Sequence, residues 1–216
     1  MKPQVTIIDY GMGNLLSVVR AFEHCGADVR IADTPDGIRQ ADYLVLPGVG
    51  AFADGMKGLH EQGLIEPIKS FARMGGPFLG ICLGMQMMLD ISEEFGRHEG
   101  LGLIPGKVTA IPPVGADGSP HRIPHIGWNN IVPANGITGW RDSILSGIRE
   151  KASVYFVHSY AAVPSESHYR LADSVYNGLT ISAAIRSGSL YGCQFHPEKS
   201  GAVGLAIISQ FLGINA

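Results

Sequence analysis

The stretch that decides the fold is Pro77-Phe78-Leu79-Gly80-Ile81-Cys82-Leu83-Gly84. Residues 77–81 are a compact apolar run typical of a buried strand, and a helical pattern over 83–95 follows directly. Glycines on both sides of Cys82 are typical of a nucleophile elbow, in which a cysteine here takes the place of serine. The tight turn needs them, because side chains there would collide with the adjoining strand and helix. The alternative is a structural cysteine at an ordinary strand–helix junction.

Outward from this corner, strands and helices alternate through the first half of the chain. Further strands are predicted at Val5–Asp9, Val29–Ala32 and Tyr43–Leu46, with helices after Asn14, a candidate N-cap, and over Leu59–Met74 and Leu83–Phe95. This order predicts an α/β fold with a largely parallel sheet covered by helices on both faces.

The second half is richer in strands, which we expect to add antiparallel members to the sheet. They are predicted at Val108–Ile111, Ile126–Val132, Ser153–Val157, Tyr169–Val175, Leu179–Ile185 and Leu190–Phe195, before a closing helix at Gly201–Leu212. The stretch Pro112–Pro124 contains four prolines and is predicted to be a loop, without an assigned role. No repeat or linker divides the chain, so one domain over residues 1–216 is expected.

Composition excludes several classes of function. The net charge of −3, from 16 basic and 19 acidic residues, gives no general reason to expect nucleic acid or an anionic membrane as partner. No apolar stretch reaches the ~18 residues of a membrane span. Three cysteines without a C-x-x-C pair indicate a reducing compartment, the cytoplasm. Cys25 and Cys193 are interpreted as small apolar filler, and no metal site is expected.

A candidate proton carrier for the thiol follows the last predicted strand, in His196-Pro197-Glu198. Proline favours an extended residue before it, and residues two apart in an extended segment share a side. Glu198 is therefore predicted to reach one imidazole nitrogen and leave the other for Cys82, as in a nucleophile–base–acid triad. A histidine near a strand end is otherwise a surface or satisfied core residue.

The third requirement is an oxyanion hole. The N–H of Leu83, the residue after the nucleophile, is one natural donor. The second is predicted in the turn Pro47-Gly48-Val49-Gly50, because ligands gather where parallel strands end. An ordinary strand–helix turn is the alternative.

These residues together resemble the class I (triad) glutamine amidotransferases, and within them the glutaminase subunits of imidazole glycerol phosphate synthases. The resemblance covers residues 5–212 and is carried by Ile8-Asp9-Tyr10-Gly11-Met12-Gly13-Asn14, Pro47-Gly48-Val49-Gly50-Ala51-Phe52, Gly127-Trp128-Asn129, Tyr155-Phe156-Val157-His158-Ser159-Tyr160 and His196-Pro197-Glu198-Lys199-Ser200. It implies a flavodoxin-like, three-layer domain with a mixed, mostly parallel sheet.

The resemblance also implies the reaction and its site. Cys82, His196 and Glu198 would hydrolyse L-glutamine to glutamate and ammonia, with no cofactor. The N–H groups of Val49 and Leu83 would hold the oxyanion. The matching substrate positions are Gly50, Gln86, Glu94 and the backbone of Ser159 and Tyr160.

The partner implied by the resemblance is a separate (β/α)8-barrel cyclase, forming a heterodimer that uses the ammonia in histidine biosynthesis. Residues facing it would be Asn14, Trp128, Tyr155 and Lys199. The family's glutaminase activity is weak until the partner binds its ligand. A flip of the Val49 peptide, which glycines on both sides make sterically easy, is the hypothesis for that switch.

Three other functions remain open from the sequence. The first is a class I glutaminase that feeds anthranilate, guanylate or carbamoyl phosphate synthesis, against which only the partner-facing segments argue. The second is a cysteine peptidase or related hydrolase on a similar scaffold. The third is a binding or regulatory module without catalysis, against which the intact set Cys82, His196 and Glu198 weighs.

Overall fold

The computed structural model describes residues 2–214, and its centre is a mixed eight-stranded sheet. The strand order is β2-β1-β3-β4-β14-β13-β12-β9. The bounds of these strands are β1 Gln4–Ile8, β2 Asp28–Ala32, β3 Tyr43–Gly48, β4 Phe78–Cys82, β9 Val132–Pro133, β12 Arg170–Tyr176, β13 Leu179–Ser187 and β14 Leu190–Cys193. The five strands from β2 to β14 are parallel to one another, and the pairs from β14 to β9 are antiparallel. The prediction of a mixed, mostly parallel sheet is thus confirmed.

Helices cover both faces of this sheet. They are α1 Leu15–His24, α2 Pro35–Arg39, α3 Phe52–Glu61, α4 Ile65–Arg73, α5 Leu83–Met87 and α6 Gly201–Leu212. Successive residues of β3 point to opposite faces: Val45 packs in one hydrophobic cluster with residues of α1 and α6, while Leu44 and Leu46 pack in another with residues of α3 and α4. Two cores with the sheet between them make the three layers.

Six strands form two smaller sheets. One has the order β11-β7-β5-β6, and the other is the antiparallel pair of β8 and β10. Their bounds are β5 Ile91–Ser92, β6 His98–Glu99, β7 Gly106–Ala110, β8 His125–Asn130, β10 Ser153–His158 and β11 Tyr160–Pro164. The expectation that all later strands join the main sheet is therefore wrong for β7, β8 and β10, and β11 was not predicted.

Two predicted helices differ from the structure. The helix expected over Leu59–Met74 is two helices, α3 and α4, because Gly63 takes a φ of +69° between them. The helix expected over Leu83–Phe95 ends at Met87 and is followed by β5. The segment 112–124 contains no helix or ladder strand, only an isolated bridge between Val114 and Pro120.

The structure adds two findings on membranes and cysteines. Among residues 2–214, no helix is both long and apolar enough to cross a membrane. Cys25, Cys82 and Cys193 are free thiols. Cys193 is fully buried in the core, and this burial raises the pKa of its thiol.

Candidate active site

Cys82 occupies the sharp corner between β4 and α5. Its backbone has φ 54° and ψ −108°, a conformation that costs a non-glycine residue on the order of 1–3 kcal/mol. A Cβ atom at Gly84 would lie 1.7 Å from the carbonyl oxygen of Leu46, and one at Gly80 would lie 2.7 Å from the backbone nitrogen of Met85. Both flanking glycines are therefore required by the close packing of this corner.

His196 and Glu198 form a buried hydrogen-bonded pair. The imidazole Nδ1 lies 2.8 Å from the carboxylate Oε1, and the two side chains are 4% and 2% exposed. The prediction of an extended segment is wrong beyond His196, because Pro197–Lys199 forms a 3-10 turn. That turn brings the carboxylate back to the imidazole over the same two residues.

Three influences set the protonation of His196. Burial lowers the pKa of the imidazole, but hydrogen bonding and charge interactions with Cys82 Sγ and with the Glu198 carboxylate outweigh burial and raise it to about 9. The ring therefore holds a proton at neutral pH. Its Nε2 atom is buried and has no hydrogen bond of ordinary geometry. This nitrogen is the one available for proton exchange with the thiol beside it.

A cavity of about 360 Å³ opens beside the cysteine. Its lining includes the predicted nucleophile, the two predicted oxyanion donors and all five predicted substrate residues: Cys82, Val49, Leu83, Gly50, Gln86, Glu94, Ser159 and Tyr160. Pro124, Val157 and His158 also line it. Pro124 ends the proline-rich loop, so this loop borders the cavity.

The turn after β3 reaches the cavity because it runs beside the cysteine corner. Gly48 pairs in register with Cys82 across the parallel strands β3 and β4. A Cβ atom at Gly48 would lie 3.0 Å from the Cβ of Leu83, so glycine permits the close approach. Gly50 follows with a φ of +102°. Val49 is thus held between two glycines, next to the start of α5.

Glu94 reaches the cavity from the loop after β5, not from the helix expected there. Its Oε2 accepts a hydrogen bond of 2.6 Å from the N–H of Phe52. Phe52 is the first residue of α3. At this position the N–H has no partner within the helix, and the helix dipole favours a negative charge, so a carboxylate binds well there. Glu94 thereby fixes the start of α3 against the cavity wall.

A second buried network leads from the cavity to the thiol. The Gln86 side-chain nitrogen donates to the Tyr160 carbonyl oxygen at 2.9 Å and to Gln194 Oε1 at 3.0 Å. Gln194 Nε2 in turn lies 3.7 Å from Cys82 Sγ. Because both amide hydrogens of Gln86 are used, the group it retains for a ligand is its oxygen, an acceptor.

The four residues predicted to face a partner lie outside the cavity. Trp128 on β8 is 59% exposed and pairs in register with half-buried Tyr155 on β10, with ring centroids 6.0 Å apart. Asn14 is exposed and caps α1 through the N–H of Ser17. Lys199 is exposed in the 3-10 turn after His196.

Comparison with known proteins identifies the family. The family model described as glutamine amidotransferase class-I matches residues 6–213. The chain belongs to the class I glutamine amidotransferases. Solved structures with this fold include a glutamine amidotransferase at 15% identity and PurLQS from Thermotoga maritima at 19%. Both have a TM-score of 0.71, cover 97% and 99% of this chain, and are themselves covered over 99% of their length.

Full-length relatives narrow the position of this chain within the class I amidotransferases. Imidazole glycerol phosphate synthase subunit HisH 1 of Legionella pneumophila (strain Lens) is 61% identical over 97% of this chain and 99% of its own length. Subunit HisH of Geobacillus thermodenitrificans is 45% identical over 97% of this chain and 95% of its own.

Two polar residues of this amidotransferase site were missed by sequence reasoning. Gln194 lies two positions before His196, and His158 occupies a buried position in the alternating pattern of β10. A polar residue at a buried alternation position was the available signal for His158. In the described residues 2–214, no three His, Cys, Asp or Glu side chains are grouped as metal ligands.

Proposed function

We propose that this chain is the glutaminase subunit of an imidazole glycerol phosphate synthase, with Cys82, His196 and Glu198 as its catalytic triad. The observation that carries the glutaminase proposal is the buried pair of His196 and Glu198 beside a strained cysteine that opens onto a cavity. The full-length relatives support the biosynthetic assignment, because each is named as a subunit of that synthase.

In the first half of the reaction, Cys82 attacks as a thiolate, its proton being held on His196 Nε2, and a C–S bond forms at the side-chain amide carbon of glutamine. The N–H groups of Val49 and Leu83 are proposed to stabilise the oxyanion that develops. Protonated His196 donates its Nε2 proton to the departing nitrogen, so the C–N bond breaks and ammonia leaves. A γ-glutamyl thioester on Cys82 remains.

In the second half, water hydrolyses this thioester. His196, now neutral, accepts a proton from the attacking water, a C–O bond forms and the C–S bond breaks. This leaves the Cys82 thiolate beside protonated His196, as at the start, and the new carboxyl group of the product loses its own proton to solvent as glutamate is released. Glu198 holds the Nδ1 side of the ring throughout, which fixes the tautomer and stabilises the imidazolium.

Glutamine is proposed to bind along the cavity wall against Gly50, Gln86, Glu94, Ser159 and Tyr160. The free oxygen of Gln86 and the carboxylate of Glu94 are hydrogen-bond acceptors, which suits the ammonium end of an amino acid. No cofactor takes part in these steps.

The proposed partner is a (β/α)8-barrel cyclase on another polypeptide. It would receive the ammonia through a water-poor route, which keeps ammonia from becoming non-nucleophilic ammonium. Asn14, Trp128, Tyr155 and Lys199 are the proposed contacts. We treat residues 1–216 as a single glutaminase domain that acts in the cytoplasm. That a flip of the Val49 peptide switches the activity on stays a prediction. Equal glutamine turnover with and without the partner and ribonucleotide would contradict it.

The decisive experiment uses the complex with a candidate cyclase and two nitrogen sources. Cys82→Ala is expected to abolish synthesis from glutamine and to preserve both the complex and synthesis from ammonium salts. Cys193→Ala, a buried cysteine outside the cavity, is the matched control and should retain glutamine-dependent synthesis. Full glutamine-dependent activity in Cys82→Ala would refute the assigned nucleophile.

A further inference from the structure

Two buried histidines form a pair next to the cavity and have no role in the proposed reaction. His158 ends β10, His125 begins β8, and the two are partners in the antiparallel register. His125 Nδ1 lies 3.0 Å from His158 Nε2, and His158 Nδ1 lies 2.8 Å from the carbonyl oxygen of Tyr160. The side chain of Asn129 places its nitrogen 3.3 Å from His125 Nε2.

The hydrogen positions in this chain follow from its outer end. An asparagine side-chain nitrogen can only donate, so His125 Nε2 accepts and His125 Nδ1 carries the hydrogen. His158 Nε2 must then accept, and His158 Nδ1–H donates to the Tyr160 carbonyl. One arrangement of hydrogens therefore satisfies every link from Asn129 to Tyr160.

This arrangement requires both rings to be neutral. Burial is the main cause that lowers the pKa of His158, to about 3, and the nearby His125 and His196 lower it further. The hydrogen bond to Tyr160 acts in the opposite direction and is outweighed. Burial together with His121 lowers the pKa of His125 to about 4. Packing holds the His125 ring in place, since it stacks on Phe156 with a centroid distance of 4.7 Å.

The Tyr160 carbonyl is where the pair meets the substrate site. This oxygen accepts from His158 and also from Gln86, so both of its lone pairs are used. Two donors on one carbonyl fix the peptide plane of Tyr160 and the amide of Gln86 together. Gln86 continues through Gln194 toward Cys82 Sγ.

We infer that His158 is a positioning residue, which holds the Tyr160 carbonyl, and through it Gln86, in the orientation that binds glutamine. His125 fixes the tautomer that makes this donation possible. The inference rests on the proposed glutaminase function and assigns the pair to substrate binding, not to proton transfer in the reaction.

The test compares two substitutions that keep different halves of the imidazole. His158→Asn retains a donor near the position of Nδ1, whereas His158→Gln places its amide near the position of Nε2 and loses the donor to Tyr160. We expect the KM for glutamine to be about tenfold higher in His158→Gln than in His158→Asn, with a smaller difference in kcat, because one carbonyl loses one of two donors. His168→Asn, at an exposed histidine, is the control.

The outcomes separate the two proposals. Absence of glutamine hydrolysis by the unaltered complex would refute the proposed function. Hydrolysis by the unaltered complex with equal KM values for the two His158 variants would overturn the positioning role. If neither variant folds, 15N NMR of the unaltered protein decides: Nδ1–H tautomers at both His125 and His158 support the inference, and an Nε2–H tautomer at either overturns it.

Discussion

At the scale of single residues, the proposed chemistry depends on the proton that His196 holds at neutral pH. The ring is buried, which by itself disfavours a charge, yet its pKa is raised to about 9 by Cys82 and Glu198. A protonated imidazole beside the thiol is the form that can deliver a proton to departing ammonia. The carboxylate of Glu198 therefore contributes to the charge of the ring as well as to its orientation.

The raised pKa of His196 predicts how stability depends on pH. In the unfolded chain the imidazole titrates near 6.5, whereas in the folded chain it titrates near 9. The stabilising contribution is complete below about pH 6.5 and is lost as pH rises toward 9, with a slope of at most about 1.4 kcal/mol per pH unit. Urea denaturation between pH 6.5 and 9 should show this fall in the free energy of unfolding.

Glu198→Gln is the matched variant for this titration. It removes the carboxylate and keeps the shape of the side chain, so the free energy of unfolding should fall less steeply over the same pH range. The lowered pKa values of His125 and His158 act below pH 6.5 and do not interfere. Identical slopes in the variant and the unaltered protein would show that Glu198 does not raise the pKa of His196.

Residues in local motifs could be predicted from the sequence, and residues that act through distant partners could not. Gly80 is recognisable because its steric requirement arises at the corner itself, where a Cβ atom would lie 2.7 Å from the backbone nitrogen of Met85. Gln194 and His158 act through hydrogen bonds to residues 108 and 33 positions away. Nothing in the neighbouring sequence specifies those partners.

At the scale of secondary-structure elements, the short helix α5 shows why local periodicity failed. The carbonyl oxygens of Met87 and Met88 accept hydrogen bonds from the N–H groups of Leu101 and Leu103, both at 2.8 Å. A longer helix would need these carbonyls for its own next turn. The chain at residues 100–104 thus ends the helix, and its close passage requires Gly100, where a Cβ atom would lie 2.1 Å from the Leu89 oxygen.

Another element-level link joins β10 to the start of α6 through Ser200. Its buried hydroxyl accepts from the N–H of Tyr155 at 3.0 Å and donates to the carbonyl oxygen of His196 at 2.6 Å. The His196 N–H in turn donates to the Tyr155 carbonyl at 2.9 Å. Three hydrogen bonds therefore fix the backbone of the proposed base to the strand that carries Tyr155.

Ser200→Ala is predicted to destabilise the protein and reduce glutamine turnover together. The substitution leaves the Tyr155 N–H without its partner, at a cost of about 1–3 kcal/mol. Ser209→Ala on the same helix, where an exposed hydroxyl donates to the Leu205 carbonyl, is the control and should change stability by less than about 0.5 kcal/mol. Urea denaturation and kcat measure both effects. Equal stability of the two variants would contradict the linking role of Ser200.

At the scale of the whole molecule, the position of the site follows from the sheet. The cavity lies where β3 and β4 end, the place predicted from their parallel direction. The alternation of strands and helices in the first half of the chain was enough to predict β1 to β4 as strands of a largely parallel sheet, and with them this edge. The smaller sheets were beyond prediction, because β11 pairs with β7 across about fifty residues and nothing local sets that register.

The exposed face of β8 is unusually apolar for a surface strand. Ile126 and Trp128 point to the same side and are 58% and 59% exposed, with Tyr155 paired beside the tryptophan. An exposed apolar patch of this kind is typical of a protein interface. We therefore expect the proposed cyclase partner to bind at this face.

Trp128→Ala is predicted to weaken the complex without weakening the fold. The indole is mostly exposed, so its loss should change the free energy of unfolding by less than about 0.5 kcal/mol. A tryptophan anchor at an interface centre contributes at least about 2 kcal/mol to binding. Its loss should therefore raise the Kd of the complex about thirtyfold. Met74→Ala, at a residue 72% exposed before β4, is the matched control. The measurement is calorimetric titration of each variant with the cyclase. Equal Kd values for the two variants would place the interface elsewhere.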